Sequence, residues 1–160
     1  MTLILMRHAK ARHAGVDHAR PLSDHGKRQA GFVGGEIGRV VGEVDQLFVS
    51  DATRTLQTLE ALTSGGLRVR ERIVEPGLYS AGGDEVVELL RAAATERVVM
   101  VLGHEPTMTA VAYQLWDGKG QAGFASGFPT SAAAVFSVDT AWPQLVLGSL
   151  PLQAFIRAPM

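Results

Sequence analysis

Arg7 and His8 directly follow four large apolar residues near the start of the chain, Leu3-Ile4-Leu5-Met6. An apolar run of this length with a polar end predicts a short strand that is buried on both faces of a sheet. Ligands of open α/β sheets bind at the carboxyl ends of the strands. Because a guanidinium and an imidazole can both bind phosphate oxygens, this strand end is a candidate site for phosphate chemistry.

Two other polar stretches follow apolar runs in the same way. Ser50 to Arg54 comes after a predicted strand at 46–50, and Gly103-His104-Glu105 comes after the most hydrophobic run, at 98–102. Since the carboxyl ends of parallel strands meet at one edge of a sheet, we expect Arg54 and His104 to lie near His8.

Arg54 is expected in the first turn of the helix that follows its strand. A cation in that position opposes the helix dipole by about 0.3 to 1 kcal/mol. An anion bound at the helix N-terminus would turn the same cation into a second ligand. The alternative is a salt bridge between Arg54 and Asp51.

Helices and strands alternate along the whole chain. N-cap residues and apolar spacing predict a helix from Ser23 to about Val44 and a second from Ser50-Asp51 to Gly65-Gly66. Further helices are predicted at 84–95 and 107–116, with Pro106 in the first turn of the latter. Further strands are predicted at 67–74, 133–138, 145–147 and 154–156, of which the first and the last two are edge strands. This alternation predicts a single domain over 1–160, a three-layer α/β/α sandwich with a mostly parallel central sheet.

The composition limits the class of protein. The 160 residues are 46% hydrophobic and 19% charged, which is typical of a globular domain. The chain has no cysteine, which excludes disulfides, a thiol nucleophile and a cysteine-ligated metal. Its start lacks the basic segment of a signal peptide, and no apolar run approaches the length of a membrane span. We therefore expect a cytoplasmic protein that is not bound to a membrane.

Positive charge is concentrated near the N-terminus, although the formal net charge is only −1. Residues 7–28 contain six basic residues, two acidic residues and four of the five histidines. The six basic residues are Arg7, Lys10, Arg12, Arg20, Lys27 and Arg28. A local cationic surface on a near-neutral protein favours a small anion or a phosphorylated partner over nucleic acid.

Four motifs, distributed along nearly the whole chain, resemble those of the histidine phosphatase superfamily, which has the phosphoglycerate mutase-like fold. Arg7-His8-Ala9 resembles its RHG/RHA signature, and the stretch from Ser50 to Thr58 resembles S-x-x-x-R-x-x-Q-T. Gly103-His104-Glu105-Pro106 resembles the second-histidine motif. Arg20-Pro21-Leu22-Ser23, together with Thr130-Ser131-Ala132, resembles the SixA-like branch, whose type member is a phosphohistidine phosphatase.

The resemblance implies a role for each matching residue. His8 would be the nucleophile that accepts the phosphoryl group, and Arg7 and Arg54 would bind its oxygens. His104 would donate a further hydrogen bond to them, and Arg20 would close the pocket from outside. The resemblance implies neither a metal ion nor a cofactor, because arginines and histidines supply the positive charge.

The substrate is less well defined. Members of the superfamily that hydrolyse esters use a carboxylic acid to protonate the leaving alkoxide, whereas a leaving imidazole needs less help. Candidates for this acid are Glu75, Asp84 and Glu85, and the alternative for each is a surface carboxylate. The chain also lacks room for the large lids of sugar-phosphate members. An open site suits phosphohistidine in a protein, and a small phosphorylated metabolite is the alternative. The oligomeric state is not predicted.

Three other functions compete with this one. A metal site built on His8, His13, His18 and His25 conflicts with spacings of five and seven residues, which do not fall on one helix face. Residues 118–123 match G-x-G-x-x-G but follow a predicted helix instead of a strand, so a dinucleotide site is not expected. A non-catalytic phosphate-binding module would keep Arg7 and Arg54 but would not need His8.

Overall fold

The central element is a six-stranded sheet with the strand order β3-β2-β4-β1-β5-β6. The computed structural model describes residues 1–159. The strands are β1 (Thr2–Arg7), β2 (Glu43–Val49), β3 (Arg68–Val74), β4 (Val98–Gly103), β5 (Ala133–Ser137) and β6 (Leu152–Ile156). β1, β2, β3 and β4 pair in parallel, and β5 runs antiparallel to both β1 and β6.

Helices cover both faces of this sheet. They are α1 (Asp24–Val41), α2 (Thr53–Ser64), α3 (Gly83–Ala93) and α4 (Thr107–Leu115). Three short 3₁₀ helices span Asp17–Ala19, Pro76–Tyr79 and Trp142–Gln144. α1 and α2 pack together on one face, and α3 and α4 pack together on the other. The mostly parallel α/β/α sandwich expected from the sequence is confirmed.

The apolar run of β1 is buried on both sides, as expected for a central strand. Leu3 and Leu5 join the core beneath α3 and α4, while Ile4 and Met6 join the core beneath α1 and α2. All four side chains are fully buried. Because successive side chains of a strand point to opposite faces, one strand contributes to both cores and fixes the position of Arg7 and His8 at its end.

The close packing of α1 on α2 requires glycine at two positions, Gly34 and Gly65. A Cβ atom added to Gly34 would lie 2.4 Å from the Leu62 carbonyl oxygen, and one added to Gly65 would lie 2.1 Å from the Gly31 carbonyl oxygen. The helices therefore approach each other more closely than a side chain would permit. This close contact is with the neighbouring helix and not with the sheet.

The end of the first helix and the start of the second differ from their predictions. Ser23 caps α1 as expected, but α1 ends at Val41, because Gly42 has a φ of +76° and Val44 already belongs to β2. The N-cap of α2 is Ala52, without a side-chain bond, so the predicted caps Ser50 and Asp51 were wrong. Those two side chains bond elsewhere, to histidines described below.

Two further predictions differ in the second half of the chain. Residues 145–147 do not form a strand: Val146 and Leu147 are exposed, and the Leu145 carbonyl accepts hydrogen bonds from the Arg91 guanidinium. Pro106 is the N-cap of α4 and not part of its first turn. The edge positions of β3 and β6 are confirmed. Within residues 1–159, no helix has the length and apolar character needed to cross a membrane.

Candidate active site

Three strand ends bring the candidate residues together at one edge of the sheet. β2, β4 and β1 are adjacent and parallel, with Arg7 opposite Gly103 and Val49 opposite Leu102. The residues that follow these strands therefore meet. The rings of His8 and His104 have centroids 5.4 Å apart, and His104 Nε2 lies 2.9 Å from Ser50 Oγ.

His8 is held with one ring nitrogen available for reaction. Its Nδ1 lies 2.7 Å from the Ala9 carbonyl oxygen, which can only accept a hydrogen bond, so Nδ1 carries the proton. The lone pair is then on Nε2. The His8 backbone is fixed on both sides, because its N–H donates to Gly103 and its carbonyl accepts from the Ser131 N–H.

Burial keeps the His8 imidazole uncharged. The residue is 8% exposed, and burial, together with the neighbouring His104 imidazole and the charges of Arg54 and Arg7, lowers its pKa to about 3, although the hydrogen bond to Ala9 opposes this. A neutral imidazole with a free Nε2 is the nucleophilic form of histidine. His8 therefore has the protonation state needed to attack phosphorus at neutral pH.

We expect this buried histidine to make the fold sensitive to acid. Between pH 6.5, the ordinary pKa of histidine, and pH 3, the unfolded chain binds a proton at His8 that the folded chain does not, so stability falls as pH falls. From pH 7 to pH 5 this costs about 2 kcal/mol. Urea unfolding at pH 7 and pH 5 measures this loss in the free energy of unfolding. In His8→Ala the loss should be smaller than in the wild type by about 2 kcal/mol. The exposed His13 provides the control, and His13→Ala should lose as much free energy of unfolding from pH 7 to pH 5 as the wild type does. A loss in His8→Ala as large as that of the wild type would contradict the prediction.

Arg7 and Arg54 bring two guanidinium groups to His8. Arg7 Nη1 donates to the Phe128 carbonyl at 2.9 Å, and Arg54 Nη1 donates to the Asp17 carbonyl at 2.8 Å. The Nε atoms of both arginines are buried and lack a partner among the described residues. Burial and the nearby Arg54 charge lower the pKa of Arg7, although Glu105 opposes this. Buried donors without an acceptor indicate a place for an anion.

Thr58 connects the backbone that follows His8 to Arg54. Its hydroxyl accepts a hydrogen bond from the Ala9 N–H at 3.0 Å and donates to the Arg54 carbonyl at 2.6 Å. Thr58 is fully buried, as is Thr55, whose hydroxyl donates to the Ser50 carbonyl at 2.8 Å. The two threonines therefore fix the first turns of α2 against the strand ends.

His104 is the second buried imidazole of the site. It is 8% exposed, its Nε2 contacts Ser50 Oγ, and its Nδ1 has no partner within residues 1–159. Burial, followed by the charge of Arg54, lowers its pKa to about 4. His104 therefore contributes a neutral ring that can bind a ligand oxygen through a nitrogen that carries a proton.

The three candidate acids make no hydrogen bond to this cluster in the described residues. Glu75 accepts from the Gly77 N–H, Glu85 accepts from the Gly82 N–H, and Asp84 accepts from Gln114 Nε2. Glu75 caps a 3₁₀ helix, Glu85 caps α3, and Asp84 joins α3 to α4, and none of these contacts involves the two histidines or arginines. Arg20 also lies outside the cluster, where it contacts the Arg12 carbonyl and Asp17.

Asp17, His18 and Tyr79 form a rim of the site that sequence reasoning missed. Asp17 Oδ2 lies 3.3 Å from Arg54 Nη2 and accepts from the Tyr79 hydroxyl. The Tyr79 ring meets the His104 ring edge-on at 5.6 Å, and His18 bonds Asp51 at 2.9 Å. The alternative of an Arg54–Asp51 salt bridge is wrong, because Arg54 pairs with Asp17 instead. In the described part of the chain, no three His, Asp or Glu side chains form a metal-binding group.

These features define an α/β protein whose sheet edge holds a neutral histidine beside two arginines. A model of the histidine phosphatase superfamily (branch 1) matches residues 3–78. An uncharacterised protein of Mycobacterium tuberculosis strain H37Rv is 34% identical over 94% of this chain and 98% of its own. The chain also matches the solved structure of a SixA protein from Nakamurella multipartitia, with 33% identity, a TM-score of 0.83 and coverage of 98% of this chain and 95% of that one.

A second solved structure is that of the protein histidine phosphatase SixA in complex with tungstate, at 25% identity and a TM-score of 0.78 over 98% of this chain and 97% of that one. The chain belongs to the histidine phosphatase superfamily and, within it, to the SixA-like group. Its class of activity is that of a phosphatase.

Proposed function

We propose that this protein hydrolyses phosphohistidine in a phosphorylated protein, by transferring the phosphoryl group to His8. The observation that carries the proposal is the buried, neutral His8 with a free Nε2 beside two guanidinium groups whose Nε donors lack partners within residues 1–159. A nucleophile and the groups that bind a phosphoryl anion are therefore adjacent before any substrate enters.

In the first step, the His8 Nε2 lone pair forms a bond to phosphorus. The bond from phosphorus to the leaving group breaks, and its electron pair departs with that group. Arg7, Arg54 and His104 donate hydrogen bonds to the three phosphoryl oxygens and stabilise the negative charge on these oxygens in the transition state. The Nδ1–H of His8 stays bonded to the Ala9 carbonyl, which stabilises the positive charge that the ring acquires.

In the second step, water attacks the phosphorus of phosphorylated His8. The new bond joins the water oxygen to phosphorus, the His8–phosphorus bond breaks, and its electron pair returns to Nε2. Both water protons remain on the phosphate product, so the enzyme returns to its starting state. We propose that no metal ion takes part, because the arginines supply the positive charge; chelation with EDTA should then leave the rate unchanged.

The contacts of the candidate acids support phosphohistidine as the substrate. The hydrogen bonds of Glu75, Asp84 and Glu85 go to Gly77, Gln114 and Gly82, and none goes to the histidines or arginines of the site, which favours a reaction without a leaving-group acid. A leaving imidazole needs no such acid when its second nitrogen already carries a proton. The resemblance to a protein histidine phosphatase that binds tungstate, an oxyanion shaped like phosphate, points the same way.

The surroundings of Arg7 have room for the rest of a protein substrate. A cavity of about 680 Å³ lies between α4, the loop before β5 and the end of β6. Arg7 lines it together with Trp116, Phe128 and Arg157. His8, Arg54 and His104 do not line this cavity, so it adjoins the site only through Arg7. We propose that residues flanking a phosphohistidine occupy it.

A panel of substrates tests the proposal. A phosphohistidine-bearing protein, p-nitrophenyl phosphate and several small phosphate esters are assayed at equal concentration, with His8→Ala as the control for contaminating phosphatases. We expect kcat/KM for the phosphohistidine protein to exceed that for every ester by at least about a hundredfold. Preference for one ester would contradict the proposal and indicate a phosphatase of small metabolites. Phosphate binding without turnover on any substrate would indicate a binding module.

A further inference from the structure

The Asp17 carboxylate is the one charged group of the rim that the two steps above do not use. Its Oδ2 accepts from Arg54 Nη2 at 3.3 Å and from the Tyr79 hydroxyl, and its Oδ1 accepts from Arg20 Nη1 at 3.1 Å. The side chain is 55% exposed, whereas that of Arg54 is 9% exposed. Asp17 therefore contacts Arg54 from the solvent side.

The contacts of Asp17 keep it ionised. Hydrogen bonds from Tyr79 and Arg20, together with the Arg54 charge, hold the pKa of this carboxyl well below its usual range. The neighbouring carboxylate in turn raises the pKa of Tyr79, so the phenol keeps its proton and remains a donor. The mouth of the site thus has a permanent negative charge, which cannot act as a proton donor.

This charge lies where a leaving group would depart. The entering and leaving atoms of a phosphoryl transfer lie roughly in line with phosphorus, on opposite sides. His8 is buried at the sheet edge, so the leaving group is on the solvent side of the phosphoryl group. Asp17 occupies that side, next to the guanidinium that would bind the phosphoryl oxygens.

We propose that Asp17 selects substrates whose leaving group is a nitrogen base that carries a proton, and the imidazolium ring of phosphohistidine above all. The inference rests on the proposed function and deepens it. The carboxylate accepts a hydrogen bond from the N–H of the substrate ring, on the nitrogen that is not bonded to phosphorus. This contact stabilises the protonated ring without taking its proton.

The protonated ring is the better leaving group. When its nitrogen–phosphorus bond breaks, the electron pair goes to that nitrogen, and the ring departs as neutral imidazole with its existing proton. No proton transfer is required, which fits a site where the candidate acids bond elsewhere. The same carboxylate repels an anionic leaving group, such as a phenolate or a carboxylate-bearing alcohol, and competes with its phosphoryl group for Arg54.

The test compares two small substrates on one preparation of Asp17→Asn. Phosphoimidazole has the leaving group of phosphohistidine without any protein contact, and p-nitrophenyl phosphate releases an anion. We expect kcat/KM to fall about tenfold for phosphoimidazole and to rise about threefold for p-nitrophenyl phosphate, relative to wild type. The ratio of the two values does not depend on the fraction of folded enzyme, so it remains informative if the variant is less stable.

Asp24 provides a matched control. It is an exposed carboxylate at the start of α1, and Asp24→Asn removes one negative charge outside the site, so the ratio should stay at its wild-type value. Equal changes for both substrates in Asp17→Asn would overturn the inference and show that Asp17 only positions Arg54. Wild-type enzyme that hydrolyses the ester but not phosphoimidazole would instead contradict the proposed function, and this comparison needs no variant.

Discussion

Replacing His8 by alanine should abolish turnover and leave oxyanion binding measurable. We expect kcat to fall by about four orders of magnitude or more, because the variant lacks the imidazole that we propose forms the covalent intermediate. Arg7, Arg54 and His104 are unchanged, so tungstate should still bind, with an affinity within about tenfold of wild type. Stopped assays measure the first quantity and calorimetry the second.

The identity of the intermediate gives a second measurement on the same residue. Wild-type enzyme mixed with labelled substrate and quenched in base, where phosphohistidine survives, should have label on His8. His8→Ala should have none, and His13→Ala, which alters an exposed histidine of the same basic segment, should label like wild type. Turnover retained in His8→Ala, or label on another residue, would contradict the mechanism.

The four central residues could be predicted because the physics that places them is local. Arg7 ends a buried strand, His8 and His104 each follow one, and Arg54 lies in the first turn of the helix after another. Parallel strands bring such ends to one edge of the sheet. The burial of the two histidines, and hence their lowered pKa values, was not predicted. It depends on long-range contacts, such as those of the His8 segment with α2 and with the loop before β5. Such contacts join distant parts of the chain, so a local sequence pattern does not predict them.

Asp17 and Tyr79 could not be found in the same way. Both lie in 3₁₀ helices of three or four residues, which are too short to show an apolar period. They are 62 residues apart in the chain, and only the folded structure brings them together. Ser50 illustrates the opposite error, because its type and position match an N-cap but its hydroxyl contacts His104. A serine before a helix can serve either purpose, and the sequence does not distinguish them.

Arg54 should affect binding as well as turnover, in contrast to His8. Its Nε is buried without a partner in the described residues, and its position at the start of α2 places it where an anion is also favoured by the helix N-terminus. We expect Arg54→Ala to lower kcat/KM by about a thousandfold and to weaken tungstate binding by about a hundredfold. Arg54→Lys should recover little of either, because an ammonium is a point charge that cannot make two parallel bonds to a phosphoryl group.

Arg54 also pairs with Asp17, so Arg54→Ala could lower tungstate affinity either by removing a ligand of the oxyanion or by displacing Asp17. A second variant distinguishes these two causes. Asp17→Asn removes the charge on the other side of that ion pair while leaving the guanidinium in place. If Arg54 binds the phosphoryl group directly, tungstate binding should weaken in Arg54→Ala but strengthen in Asp17→Asn, since the guanidinium is then free for the oxyanion. If tungstate binding weakens to a similar degree in both variants, the ion pair acts only by ordering the segment that contains Asp17. If tungstate affinity falls in one variant and rises in the other, Asp17 and the oxyanion compete for the same guanidinium. An ion pair with a purely structural role would be broken by either substitution, so both variants would then lose affinity.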